Sequence, residues 1–411
     1  MSTIEDFSTF LGRAFPKSDE SVATKIPKSN DSMAIKIAII DDGVDANLVS
    51  LDGKIAIGKS FCPYANSSEL IGPYYVPTGN HGTCMASIIS RICPEVSLYV
   101  ARLDERVSQR SRSNAQFTTK SAAEAIRWAA SCGVDIISMS WTIEAPAINN
   151  EEMSDLKDAV ALAHQKKILM FCSTSDQGSS SRDICYPRDF DGCIRIGGAS
   201  DSGEPLSWVN ATKVDFLLPG KNVPFKNNED KISYESGSSV ATAAASGLAG
   251  LLLYCGRILD RHAGSTPSTS SDSSAPSPLL TRGLGSSASL LSSSSMSSSA
   301  TVTAAGTGRE GKEGPRAAKL RDKAEMMGTF GKMCKGESQF PDVQSLVEKK
   351  FAVWMRNVRG EQEKNGDQRG GGGRVPLPQQ LKSKDLQHMK WDDEMFRALD
   401  RLFVDLFPQI A

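Results

Sequence analysis

The sequence predicts an α/β domain with a mainly parallel central sheet flanked by helices, and three observations predict it. From Ile35 to about His262, short apolar runs alternate with segments of helical spacing, as in repeated strand–helix–strand units. The runs are β-branched and almost continuously apolar, which suits strands covered on both faces. The segments between them repeat their apolar residues at helical intervals and are rich in good helix formers.

Taken in order, residues 1–33 are polar and irregular, with Pro16 and Pro27 as breakers. Strands are expected at IKIAII (35–40), VSLYVA (96–101), VDIISMS (134–140), KKILMFC (166–172) and CIRIGGA (193–199). Helices are expected at AAEAIRWAAS (122–131) and EEMSDLKDAVALAHQ (151–165). The uncharged stretch Val240–Gly256 is 17 residues long and rich in Ala, Ser and Gly. A membrane span needs roughly 20 strongly apolar residues, so this stretch reads as a buried core helix. Residues 34–262 thus form one substantial body.

Beyond it the composition changes. The serine tracts of 263–315 bury too little apolar surface to offset the entropy of ordering and read as a disordered insert. Helical patterns return at 316–335 and 342–358, giving a helical continuation over 316–360. A flexible Gly/Pro linker follows at 361–384. The last segment, 385–411, carries Trp391, Met395, Leu399, Leu402, Phe403 and Leu406 on one helical face, expected to dock on the body or to bind a protein partner.

Composition narrows the function classes. With 47 basic and 48 acidic residues the formal charge is −1, which leaves no basic surplus for a polyanion such as nucleic acid. The N-terminal stretch MSTIEDFSTFLGRAF has no basic region followed by an apolar core, so no secretory signal is read and a cytoplasmic location is expected. Nine cysteines without a C-x-x-C pair then read as reduced, mostly buried thiols rather than disulfides or metal ligands.

Three local patterns carry chemistry. IAIIDDGVD ends a buried strand in Asp41-Asp42-Gly43, at the strand edge where α/β proteins place their sites. GNHGTCMAS sets His81, one of four histidines, at the start of a helical stretch. SGSSVATAAASG runs Gly237-Ser238-Ser239 straight into an apolar helix, whose N-terminal N–H groups favour developing negative charge near a serine hydroxyl. Alone, each has an ordinary structural explanation as a cap, a loop anchor or a satisfied polar residue. Together they stand in the order Asp, His, Ser, which distinguishes one family of triad hydrolases from the others.

In these motifs the chain resembles the subtilisin-like serine proteases over roughly residues 34–262. The family's aspartate motif matches IAIIDDG, its histidine motif NHGTCMA and its serine motif GSSVA (237–241), while VDIISMSW (134–141) is similar to its substrate-flanking strand. The resemblance implies a three-layer subtilisin-like fold and a serine endopeptidase acting through an acyl-enzyme. By it Ser239 is the nucleophile, His81 its base and Asp41 the acid that orients the imidazole. Asp42 and Ser238 are the neighbours that the motif alignment excludes. The resemblance also implies substrate binding at Leu103, within the edge strand ARLDER (101–106), and at Ser140, Trp141, Thr142 and Ser175. Asp104 and Glu105 suggest a mild taste for basic substrate residues. In lacking an export signal and in its split C-terminal region, the chain looks most like intracellular fungal members of the family. No cofactor is expected, and no oxygen-rich loop is diagnostic of the structural calcium found in some members.

The chain also departs from the pattern. Asp176, in FCSTSDQG, stands where the family has an oxyanion-hole asparagine, and Ser175 where it has glycine. An ionised aspartate accepts hydrogen bonds only and repels an oxyanion. One branch of the kexin-like convertases is similar in carrying aspartate there. Ser140-Trp141-Thr142 replaces the usual Ser-Leu-Gly, so together with Ser175 two pocket glycines are gone. These departures motivate a second expectation, a weakened pseudoprotease that binds peptides as an interaction or signalling module.

Overall fold

The computed structural model describes residues 5, 33–64, 67–107, 115–144, 150–178, 184–265 and 313–343. A sheet of seven strands runs through its centre: β1 (Ile35–Asp41), β2 (Ile55–Ser60), β3 (Val96–Arg102), β4 (Ile136–Met139), β5 (Leu169–Ser173), β6 (Cys193–Ala199) and β7 (Phe216–Pro219). Their spatial order is β7-β6-β5-β4-β1-β3-β2, and every neighbouring pair is parallel. Six helices accompany the sheet among the described residues: α1 (His81–Ile92), α2 (Thr119–Ser131), α3 (Asn150–Gln165), α4 (Ser238–Ser265), α5 (Pro315–Leu320) and α6 (Lys323–Met333).

The strands are apolar throughout because both faces are covered. On β1, Ile35, Ile37 and Ile39 enter one core together with residues of α1 and α4. Ala38 and Ile40 enter the other, packed by the alanine face of α2 and by Leu156, Ala159, Val160 and Ala163 of α3. Side chains of one strand alternate between faces, so a single run feeds both layers. The result is a three-layer α/β fold, as the sequence predicts. The expected core helix is α4, which begins at Ser238 and reaches Ser265, well past Gly256. Its span Ser238–Arg261 is long and apolar enough to cross a membrane, but 94% of its most apolar window is buried inside the body. None of the nine cysteines is joined in a disulfide, and six of them are buried.

The residues after the serine tracts return to this same core. The patterned stretch 316–335 forms two helices rather than one, because Asp322 caps α6 by accepting from the N–H groups of Ala324 at 2.9 Å and Glu325 at 3.4 Å. The Asp260 carboxylate, near the end of α4, accepts from the N–H groups of Arg316 (3.1 Å) and Ala317 (3.0 Å) in the first turn of α5. Arg257 binds Asp135 at 2.7 Å and Glu313 at 3.2 Å, so α4, the entry to β4 and this segment share one ion-pair network. Phe330 packs on Phe171 and Phe216, with ring centroids 6.1 and 5.3 Å apart. Leu217 donates its N–H to the Gln339 carbonyl at 2.9 Å, so the segment also covers the outer edge of β7. The helix expected over 385–407, and 342–358 apart from its first two residues, lie outside the described residues.

Candidate active site

The strand order turns back at β1, since β3 lies to one side of it and β4 to the other. Ligands of open parallel sheets bind beyond the carboxyl ends of strands at such a reversal. Asp41 is the last residue of β1 and is 1% exposed. Its Oδ1 lies 2.8 Å from His81 Nδ1 and also accepts the Asp42 N–H at 2.9 Å. Its Oδ2 is buried with no hydrogen-bond partner among the described residues.

His81 opens α1, and the loop before it is tied down by Asp42. Asp42 Oδ1 accepts the Gly82 N–H at 2.7 Å, and Oδ2 accepts the Gly79 N–H at 2.9 Å. Gly82 is the glycine this approach requires. A Cβ there would stand 2.3 Å from the Gly43 carbonyl oxygen and 2.8 Å from Asp42 Oδ1. Asp42 is therefore the strut that presents His81, a role that sequence motifs do not distinguish from that of its neighbour. Burial, helped by the charge on Asp41, pushes the Asp42 carboxyl up to about 6. The imidazole of His81 is pushed up to about 9, first by the charge of Asp41; burial acts against this, and the Asp41 hydrogen bond, Asp42 and Glu235 add to it.

The serine motif approaches from α4. Ser239 is half-buried, and its carbonyl accepts from the Ser140 hydroxyl at 3.1 Å, which anchors the helix start beyond the end of β4. β4 is the direct neighbour of β1, so this anchor lies one strand from Asp41. No direct hydrogen bond between the Ser239 hydroxyl and the imidazole occurs among the described residues. Contacts between a nucleophile and its base are commonly long until substrate docks.

Asp176 is turned onto the start of α4. Its backbone has φ +55°, and its carboxylate accepts from Ser238 twice, from the hydroxyl at 2.5 Å and from the N–H at 2.8 Å. Ser238, fully buried, also accepts the Gly198 N–H at 3.0 Å. A Cβ on Gly237 would lie 3.3 Å from Asp176 Oδ2 and 3.4 Å from Ser239 Oγ, so carboxylate and hydroxyl face the same spot. Behind this loop Arg188, 1% exposed, spans Asp189 and the Thr174 hydroxyl, the latter at 3.1 Å.

The expected substrate positions divide. Thr142 and Ser175 are half-buried near the site. Leu103 is fully buried, and Trp141 is 6% exposed with its indole N–H donated to the Ile40 carbonyl at 2.7 Å. Both side chains belong to the core, so at these two positions the side chain is not open to a ligand. β3 ends at Arg102, and the stretch expected as one edge strand resumes at Glu105–Val107, paired antiparallel with Ala115–Phe117. Glu235, whose field reaches His81, carries no sequence signal, because an exposed acid on a hairpin is commonplace.

Comparison with known proteins assigns the chain to a family. The subtilase family model matches residues 32–258, just over half of the chain, and the chain belongs to that family. It is 28% identical to the thermophilic serine proteinase of Bacillus sp. (strain AK1), over 52% of this chain and 51% of that protein. It is 27% identical to the major intracellular serine protease of Bacillus subtilis (strain 168), over 51% of this chain and 65% of the relative. It is 29% identical to the subtilisin-like protease het-Q2 of Podospora anserina, over 47% and 55% respectively. The matches thus span between half and two thirds of these relatives' lengths. Among solved structures, the nisin leader peptidase NisP from Lactococcus lactis aligns over 54% of this chain and 78% of its own, at 18% identity and TM-score 0.46.

Proposed function

We propose that this chain is a serine-type endopeptidase that cleaves peptide bonds through Asp41, His81 and Ser239. The observation that carries the reading is the 2.8 Å bond between a buried carboxylate and an imidazole at the sheet reversal, with Ser239 in the first turn of α4. Asp41 holds the Nδ1–H tautomer, which leaves Nε2 free to take the Ser239 proton as the hydroxyl attacks a carbonyl carbon. The imidazolium formed then returns that proton to the departing amine, and water releases the acyl group by the same steps reversed. The Ser239 N–H, at the helix start, is the backbone donor for the oxyanion. Labelling the purified chain with a fluorophosphonate tests the reading: the wild type takes the label and Ser239→Ala does not. A wild type that stays unlabelled across the pH range overturns it.

One observation favours a second reading. With its carboxylate engaged by Ser238, Asp176 supplies no oxyanion donor, and loss of such a donor in a subtilisin costs about 10²–10³ in rate. The chain would then bind peptides without cutting them. Asp176→Asn separates the two: a peptidase is accelerated by the substitution, whereas a binding module gains no turnover.

A further inference from the structure

We propose that Phe340 is a positioning residue for Ser239: from the segment after the serine tracts, it holds the Gly237–Ser239 turn in place through Leu206. The proposal rests on the peptidase reading above. The turn that opens α4 is seated on glycine backbone. Gly237 donates its N–H to the Gly220 carbonyl at 2.8 Å, and Gly220 donates to the Ala199 carbonyl at 2.9 Å. A Cβ on Gly220 would stand 2.7 Å from the Gly237 oxygen and 2.9 Å from Gly198 Cα. Gly198 in turn donates its N–H to Ser238 Oγ at 3.0 Å. The end of β6, the exit of β7 and the serine turn thus meet main chain to main chain. Glycines bring no side chain of their own to fix such a stack.

Leu206 supplies one. A Cβ on Gly198 would stand 2.9 Å from Leu206 Cδ1 and 3.1 Å from the Gly237 carbonyl, so leucine and turn meet where that side chain would lie. The Leu206 N–H also donates to the Gly198 carbonyl at 3.0 Å. Leu206, 6% exposed, forms with Ala199, Val209, Val214 and Leu217 a small apolar cluster apart from the two main cores. Phe340 packs on this cluster from the far end of the described chain. Its ring also lies on the turn after β6, since a Cβ on Gly203 would stand 2.9 Å from Phe340 Cγ. Gln339 pins it there, accepting the Leu217 N–H at 2.9 Å and donating from Nε2 to the Val214 carbonyl at 2.8 Å. Truncating the ring leaves space into which the cluster relaxes, and Leu206 draws back from Gly198. A nucleophile tolerates little of this: a misplacement of about 1 Å by a remote change costs about 10² in rate.

The test measures fluorophosphonate labelling and turnover of a quenched casein-derived peptide by the full chain, well below each variant's unfolding midpoint. Phe340→Ala is expected to slow labelling and lower kcat by roughly tenfold, with KM within about twofold of the wild type. Phe340→Leu, which refills most of the space, should recover both rates to within about threefold. Met326→Ala serves as the comparison. Met326 is fully buried in the main core of the same segment, so its truncation should lower the unfolding midpoint at least as far while labelling stays within about twofold. Wild-type labelling of Phe340→Ala overturns the inference. So does an effect confined to KM, or a Met326→Ala chain slowed as much, since the loss would then follow stability alone. If Phe340→Ala does not fold, Leu206→Val carries the test, with labelling expected to slow about threefold and an unchanged rate overturning the inference. The wild type keeps the two proposals apart. A labelled wild type with an equally labelled Phe340→Ala defeats this inference alone, whereas an unlabelled wild type that cuts nothing defeats the peptidase reading beneath it.

Discussion

The Asp41 side chain accepts both of its hydrogen bonds at one oxygen, and among the described residues its other oxygen is buried without a partner. An amide at this position would offer an N–H to the imidazole and favour the wrong tautomer. Asp41→Asn is therefore expected to lower kcat by roughly 10⁴ with the thermal midpoint nearly unchanged, measured by peptide turnover and calorimetry side by side. The charges that raise His81 are all acidic: Asp41 and Asp42 from β1 and its exit, and Glu235 from the hairpin Val223–Lys226 and Ile232–Glu235. Only neutral imidazole can take the Ser239 proton, so activity should climb from neutral pH with a midpoint near 9. In Glu235→Gln the midpoint moves to lower pH, because one carboxylate no longer favours the cation. For stability the sign is fixed as well. A histidine raised from 6.5 to about 9 contributes fully below 6.5, and that contribution fades as pH rises through 9. Of these residues, Asp41 and His81 were legible because each sits in a short local motif. The strut made by Asp42, the buried Arg188 and the acid at 235 were not, since their roles depend on what distant segments bring against them.

At the scale of elements, the buried strands and helices followed from pattern alone. The run expected at 193–199 is strand β6 to the residue, and the helix expected at 151–165 is observed as Asn150–Gln165. β2 and β7 escaped, for opposite reasons. β2 is an edge strand whose residues alternate between half-buried and exposed, and β7 is four residues ending in proline, too short for a period to show. Helix α1 carries His81, and its position depends on the lack of a side chain at Gly82. In Gly82→Ala the methyl would meet backbone at 2.3 Å, so the helix start must move away from Asp41. The expected cost is about 2 kcal/mol in urea unfolding, together with slower fluorophosphonate labelling.

For the whole molecule, the segment 313–343 is part of the body rather than an appendage, since Leu320, Met326, Phe330 and Met333 lie in the same core as α1 and α4. Arg257 is the hinge pin of that attachment. Arg257→Ala would leave Asp135, 3% exposed, without its closest cation, and about 3 kcal/mol should be lost in chemical denaturation. The stretch that must be expressed for a complete core therefore extends to about residue 343, not to the end of the family match at 258.

The clasp between Asp260 and the first turn of α5 brings residues 260 and 316–317 within hydrogen-bonding distance of each other. Between two points held this close the length of the connecting chain matters little: doubling it costs only about 0.6 kcal/mol. This junction is accordingly a permissive graft site. An epitope, a fluorophore-bearing domain or an engineered cleavage sequence placed between 266 and 312 should leave unfolding midpoint and labelling rate intact, and the two halves of a chain cut there should still elute as one particle.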